Sequence, residues 1–250
     1  MLICPFLLSN SKGGRVGEKS WCTRGNLATV LFSLLSFIGS SLIFMKSLIQ
    51  KYNVPGPRYT SYPTVPFWDD ATFSETAWVA NLQQAFSVSN KTAGISVYIH
   101  LPYCESLCTF CGCNKRITRN HGVESPYIDA LLNEWAMYCK LLPEPPRIAE
   151  LHLGGGTPSF FSPEQLNRLL SGIFSRGLPT ESPDYGWEGH PNNTTRDHLQ
   201  VLYEYGFRRV SFGVQDYDPV VQKAIHRINP FWYVQNVKDW ARQIGCTSSR

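Results

Sequence analysis

Four cysteines, Cys104, Cys108, Cys111 and Cys113, fall within ten residues, directly after a short β-branched run, ISVYIHL. A loop this dense in thiols points to a metal centre, with free or disulfide-bonded cysteines as the alternative. Thiolates are soft ligands that suit iron–sulfur clusters and zinc. A structural zinc site normally takes four ligands in two separated pairs. No second pair occurs here, and His121 is the nearest alternative ligand. Three sulfurs on one compact loop can reach three corners of a cubane and leave the fourth iron open to a small molecule. An iron–sulfur cluster on Cys104, Cys108 and Cys111 is therefore favoured over zinc and over free or disulfide thiols. Cys113, one glycine beyond Cys111, has poor reach to the last corner and is read as near the cluster but not on it. Such a loop points to a redox enzyme rather than a binding module.

The remaining cysteines, Cys4, Cys22, Cys139 and Cys246, are scattered. This is not the spaced framework of a secreted disulfide protein, and it suits a reducing compartment, the cytoplasm. Apolar residues make up 43% of the 250 and charged residues 17%, so a core can be buried and disorder is excluded. The net charge of +4 is not gathered into a basic stripe, so no nucleic-acid partner is expected.

Residues 27–45 carry no charge and have about the length that spans a bilayer. Three readings compete: a signal-anchor or targeting segment, a buried helix, or upstream sequence attached to a chain whose natural start is Met45. The third is favoured, with residues 1–44 outside the fold and no membrane association. An oxygen-sensitive cluster argues against export of the cysteine loop. Residues 45–94 form an N-terminal arm and a helix. The stretch YNVPGPRYTSYPTVPF, with four prolines, reads as an ordered irregular arm that includes Arg58. Helical apolar spacing then covers 73–86.

From residue 95 a rhythm sets in. Strands are predicted over 95–101, 148–153, 184–188 and 209–214. Helices are predicted over 126–142, 162–174, 195–205, 219–227 and 230–244, with Ser162 and Pro163 at one helix start and Gly206 at one helix end. This alternation implies right-handed βαβ units and a parallel sheet. The expected fold is α/β: an incomplete (β/α) barrel over 95–250 with about four parallel strands and outer helices. A further strand would begin at 245–250, so the chain is expected to be truncated. Chemistry in such folds gathers at the carboxyl ends of the strands, and the candidate residues lie there.

Gly154-Gly155-Gly156-Thr157 follows the second strand. The glycines permit close backbone approach, with N–H and C=O groups available to an amino-acid head group; alone, the motif equally suits a tight strand–helix turn. Glu188 at the next strand end could bond ribose hydroxyls or an ammonium, or be a solvated acid. Gln215 and Asp216 close the last strand and can point into the barrel mouth. Arg227 could pair with a carboxylate or lie on the surface. His100, His152 and His190 read as buried, hydrogen-bonded histidines, with His100 near the cysteine loop.

Cys104-x3-Cys108-x2-Cys111 is similar to the signature of the radical S-adenosylmethionine superfamily. YIHLPYCESLCTFCGCNK, KYNVPGPRYTSYPT, LHLGGGTPSFFSPEQL and GFRRVSFGVQDYDPVVQKAIHRI resemble one branch of it, the oxygen-independent coproporphyrinogen III oxidases. The resemblance runs from about Met45 to Arg250. It implies a radical SAM barrel with a [4Fe–4S] cluster and two molecules of S-adenosyl-L-methionine. The matching positions Tyr98, Gly155 and Glu188 would contact one cofactor molecule. Phe110, Gly156, Thr157, Gln215 and Arg227 would contact the other. Trp187 stands where the family often has a smaller residue, and crowding of the ribose pocket is expected.

The implied reaction belongs to haem biosynthesis. The reduced cluster splits S-adenosylmethionine, a 5′-deoxyadenosyl radical takes a hydrogen from a propionate β-carbon, and carbon dioxide leaves a vinyl group. Two such events turn coproporphyrinogen III into protoporphyrinogen IX. A reducing donor such as a flavodoxin-like protein is the implied partner, and Arg58 is a candidate for substrate carboxylates. The other readings are a haem-chaperone-like relative and an inactive, cluster-bearing fragment.

Overall fold

The computed structural model describes residues 73–246, 248 and 249, with 50, 51, 53, 67 and 71 upstream of them. Residues 1–44, Met45, the apolar stretch and Arg58 lie outside the described residues. The chain divides after residue 73, and the elements of the fold belong to the unit that begins at Ser74.

Helix α1 (Glu75–Ser89) is capped by Ser74, whose hydroxyl accepts from the Ala77 N–H. Asn90 ends it and docks it: its side chain donates to the Pro145 carbonyl and accepts from Arg147 N at 2.6 Å. Strand β1 (Ile95–Leu101) follows, then the paired two-residue strands β2 (Tyr103–Cys104) and β3 (Arg116–Ile117). Helix α2 (Glu124–Leu141), strand β4 (Arg147–Gly155), helix α3 (Pro163–Phe174), strand β5 (Leu178–Gly189), helix α4 (Arg196–Glu204) and strand β6 (Phe207–Phe212) alternate. Helices α5 (Pro219–Ala224) and α6 (Phe231–Ile244) lead to strand β7 (Ser248–Ser249).

The main sheet has the order β1-β4-β5-β6-β7, and every pairing is parallel. Chain order equals spatial order, as successive right-handed crossovers produce. The two sheet faces differ. Val97, Ile99, Leu151, Leu153, Trp187 and Phe212 point one way and are buried against the helices. The other face carries Ser96 bonded to Glu150 at 2.7 Å, Arg209 bonded to Asp184 at 2.5 Å, and His152 at 3.5 Å from Glu188. A parallel sheet with its crossovers packed on one face is the wall of a barrel; a doubly wound sheet carries helices on both.

Predicted elements and structure agree within a few residues, with instructive exceptions. β5 begins six residues earlier than the expected 184, at Leu178, because Leu178 and Pro179 pair with Arg147 and Ile148 ahead of a register shift. β6 stops at Phe212 and not at 214. The helix expected to reach 227 ends at Ala224, since His226 takes a left-handed φ of 55° that no helix accommodates. The β2–β3 pair is too short to show a period in the sequence. Ser248–Ser249 stands where a further strand was expected to begin. Among the described residues no helix is long and apolar enough to cross a membrane.

Candidate metal and cofactor site

The cysteine loop leaves the carboxyl end of β1 and is closed at its neck by the β2–β3 pair. Arg116 N donates to Pro102 O at 2.8 Å and Thr118 N to Cys104 O at 2.9 Å. Within it, Cys111 N bonds Cys108 O, and Lys115 Nζ donates to the carbonyls of Cys111 and Cys113 at 3.2 and 3.4 Å. Thr109 N donates to Ile225 O at 3.1 Å, tying the far side of the loop to the end of α5.

Cys104, Cys108 and Cys111 line one cavity of about 180 Å³ together with Lys115, Gly156, Thr157, His190 and Arg227. All three are unbridged thiols. Burial pushes the Cys104 thiol up, against which the Thr157 hydrogen bond and the Arg227 and Lys115 cations favour its thiolate. Among the described residues no three His, Cys, Asp or Glu side chains converge tightly enough to hold a single metal ion. The three thiols line one cavity, and soft thiolates are the ligands that hold iron–sulfur clusters. The donor set fits an iron–sulfur cluster. Cys113 is exposed and off the cavity wall, its thiol raised by burial and then by Cys111. His121 is occupied elsewhere: Nδ1 meets Glu124 Oε1 at 2.6 Å and Nε2 lies 3.5 Å from Glu105.

The eight other candidates fall into two groups. Tyr98, Gly155 and Glu188 gather at the end of the polar sheet face. A Cβ on Gly154 would lie 3.1 Å from the Tyr98 ring and 3.3 Å from the Glu188 carboxyl, so those side chains flank the bare backbone. Gly155 has a φ of +113°, and a Cβ there would come within 2.6 Å of the His100 ring. His100 Nε2 meets the Asn114 carbonyl at 2.8 Å, so that nitrogen carries the proton, and Nδ1 accepts from the Tyr98 hydroxyl at 3.1 Å. The hydrogen bond from His152 holds Glu188 below the usual carboxylate range despite opposing burial. His152 is therefore partly exposed and paired, not buried as expected.

Trp187 does not crowd this place. Strand alternation turns it to the opposite face, where it is buried and meets Phe212 edge-on. The glycine motif also needs correcting. Gly156 N donates to Leu101 O at 2.9 Å and Thr157 N to Tyr103 O at 3.0 Å, so neither N–H is open to a ligand. A Cβ on Gly156 would sit 2.5 Å from the Pro102 carbonyl, which makes its smallness a condition of strand packing as well.

Gly156, Thr157 and Arg227 of the second group share the cavity wall with the cysteines. Arg227 lies in a loop, and its Nε and Nη2 both donate to Gly213 O, at 2.8 and 2.5 Å, a backbone anchor where a carboxylate partner was expected. Gln215, at a left-handed φ of 72°, places its amide beside the Arg227 guanidinium around Gly213. The Asp216 carboxylate accepts from Asp218 N at 2.8 Å. Phe110 is on the cysteine loop but 68% exposed and off the wall.

Sequence reasoning missed Asn192 and Asn193 in the turn after β5. Asn193 Nδ2 donates to Glu105 Oε1 and Asn192 Nδ2 to Ile228 O, both at 2.8 Å, joining the cysteine loop to the Arg227 loop. Their position just past a strand's carboxyl end was the available signal. His190 lines the cavity, accepts from Asn192 N at 3.2 Å, and is brought down to about 4 by burial and then by Arg227.

Residues 98–249 match the family model of the radical SAM superfamily. Among curated proteins, the oxygen-independent coproporphyrinogen III oxidase of Helicobacter pylori strain J99 is 40% identical over 203 residues, 79% of this chain and 43% of the relative. That of Pseudomonas aeruginosa is 38% identical over 200 residues, 79% of this chain and 42% of the relative. Among solved structures, coproporphyrinogen III oxidase from Escherichia coli, described as a radical SAM enzyme, superimposes with a TM-score of 0.69 at 32% identity. That match covers 81% of this chain and 44% of the other. The chain thus spans less than half the length of these relatives.

Proposed function

The chain belongs to the radical SAM superfamily, and from that premise we propose that it performs the oxygen-independent oxidation of coproporphyrinogen III, or the cofactor-binding part of it. Membership brings a [4Fe–4S] cluster and S-adenosylmethionine as cofactors. Cys104, Cys108 and Cys111 are the proposed ligands, with Cys113 beside the cluster. When bound, these groups supply one-electron cleavage of a sulfonium and, through it, removal of a hydrogen from a propionate β-carbon, with loss of carbon dioxide.

The observation that carries the reading is the convergence of three thiols, the Gly156–Thr157 turn and Arg227 on one cavity, with Tyr98 and Glu188 flanking the glycine backbone just before that turn. The chain's own residues then bind and orient. Glu188, its carboxylate form favoured by the bond from His152, offers an acceptor for ribose hydroxyls or an ammonium. Tyr98 is fixed by His100 and presents its ring beside Gly154. The Arg227 guanidinium, anchored on Gly213, contributes positive charge to the cavity that holds the thiols. Reducing equivalents come from a flavodoxin-like donor, and the cytoplasm is the compartment in which such thiols stay reduced.

Anaerobic reconstitution, followed by iron and sulfide analysis and EPR of the reduced protein with and without S-adenosylmethionine, tests the cofactor assignment. Assays for 5′-deoxyadenosine and for carbon dioxide from coproporphyrinogen III test the reaction. Zinc in place of iron defeats the reading. A full cluster that yields no nucleoside marks an inactive fragment, and haem binding without carbon dioxide release marks a chaperone-like relative.

A further inference from the structure

Among the hydroxyls of the described residues, one bonds a sulfur of the cysteine loop: Thr157 Oγ1 donates to Cys104 Sγ at 3.2 Å. The contact joins residues 53 positions apart, from the turn after β4 to the strand after β1. Both ends are held by backbone. Thr157 N bonds Tyr103 O at 3.0 Å, Phe160 N bonds Thr157 O at 2.8 Å, and the Cys104 carbonyl accepts from Thr118. Thr157 is 8% exposed, so water does not compete freely for its hydroxyl. A threonine hydroxyl carries one proton. Donated to the sulfur, it is not available to a cofactor, which is left only the oxygen's lone pairs.

Hydrogen bonds to cluster sulfurs are among the factors that set a cluster's reduction potential. A donor aimed at a thiolate stabilises the more negative, reduced state more than the oxidised one. The geometry points to Thr157 as a positioning residue that raises the reduction potential of the cluster through Cys104, a role distinct from the cofactor contact implied for it by resemblance. The inference rests on the proposed cluster. The step itself is simple: one electron enters the cluster from the external reductant, and the Thr157 proton stays on its oxygen.

The test is a dithionite redox titration of the anaerobically reconstituted chain, followed by EPR, in the parent, Thr157→Val and Thr157→Ser. Valine keeps the shape and removes the donor. At a fixed potential it is expected to lower the ratio of reduced to oxidised cluster about tenfold, about 59 mV for a one-electron couple, with serine close to the parent. Thr157→Ala, which introduces no new atoms, serves as the second donor-free variant should valine load poorly. An unchanged potential in a fully loaded donor-free variant overturns the proposal while leaving the cluster reading intact. A parent that takes up no iron and sulfide overturns both.

Discussion

At the residue scale, single atoms decide the site. Gly155 combines a left-handed φ with a neighbour 2.6 Å from where a Cβ would stand. Gly155→Ala is expected to cost about 2 kcal/mol or more, to push His100 off its Tyr98 and Asn114 partners, and to show both in urea denaturation and in the His100 NMR shifts. His190 makes a pH prediction. Its folded value of about 4 lies below the ordinary 6.5, so the unfolded chain takes the proton first. Stability is then fully present above about pH 6.5 and is lost as pH falls toward 4, by up to about 3 kcal/mol. His198, lowered chiefly by burial, adds in the same direction. Denaturation of the metal-free chain between pH 7 and 5 should show a slope that His190→Gln flattens; an unchanged slope would refute the assignment.

At the scale of elements, the entry to the cysteine loop is clasped to α2 and α3. His121 sits between Glu105, next to Cys104, and Glu124. The other oxygen of Glu124 accepts from Ser162 N at 2.8 Å, the N-cap of α3. Glu124 is only 5% exposed, so removing its histidine leaves a buried carboxylate short of a donor. His121→Phe is expected to cost about 1–3 kcal/mol, and a double-mutant cycle with Glu124→Gln should recover part of the loss because no charge is orphaned. Additive losses would mean that the two residues act independently. The helices themselves were legible from period and caps: Ser162 and Gly206 stand at the helix ends where the sequence places them, and Thr195, expected as the first helical residue, is the N-cap. The end of α5 was not, because the left-handed residue just past it, His226, is not a glycine.

At the scale of the molecule, stability lies on one side of the sheet and chemistry at its edge. Trp135 is fully buried and its indole N–H bonds Ile173 O at 3.1 Å. Trp135→Ala should cost about 3–5 kcal/mol. Glu150→Gln, on the exposed polar face, should cost less than about 1 kcal/mol. Similar losses in guanidinium denaturation would contradict the one-sided core. The sequence by itself determined the rhythm of strands and helices and the spacing of the three thiols, because periodicity and loop spacing are local properties carried by neighbouring residues. Only the tertiary structure decided that Asn193 reaches Glu105 across 88 positions, that Arg227 folds back on Gly213, and that the Thr157 hydroxyl meets Cys104. Those contacts join chain segments whose separation in space is set by the parallel register of the sheet, which no single stretch of sequence contains.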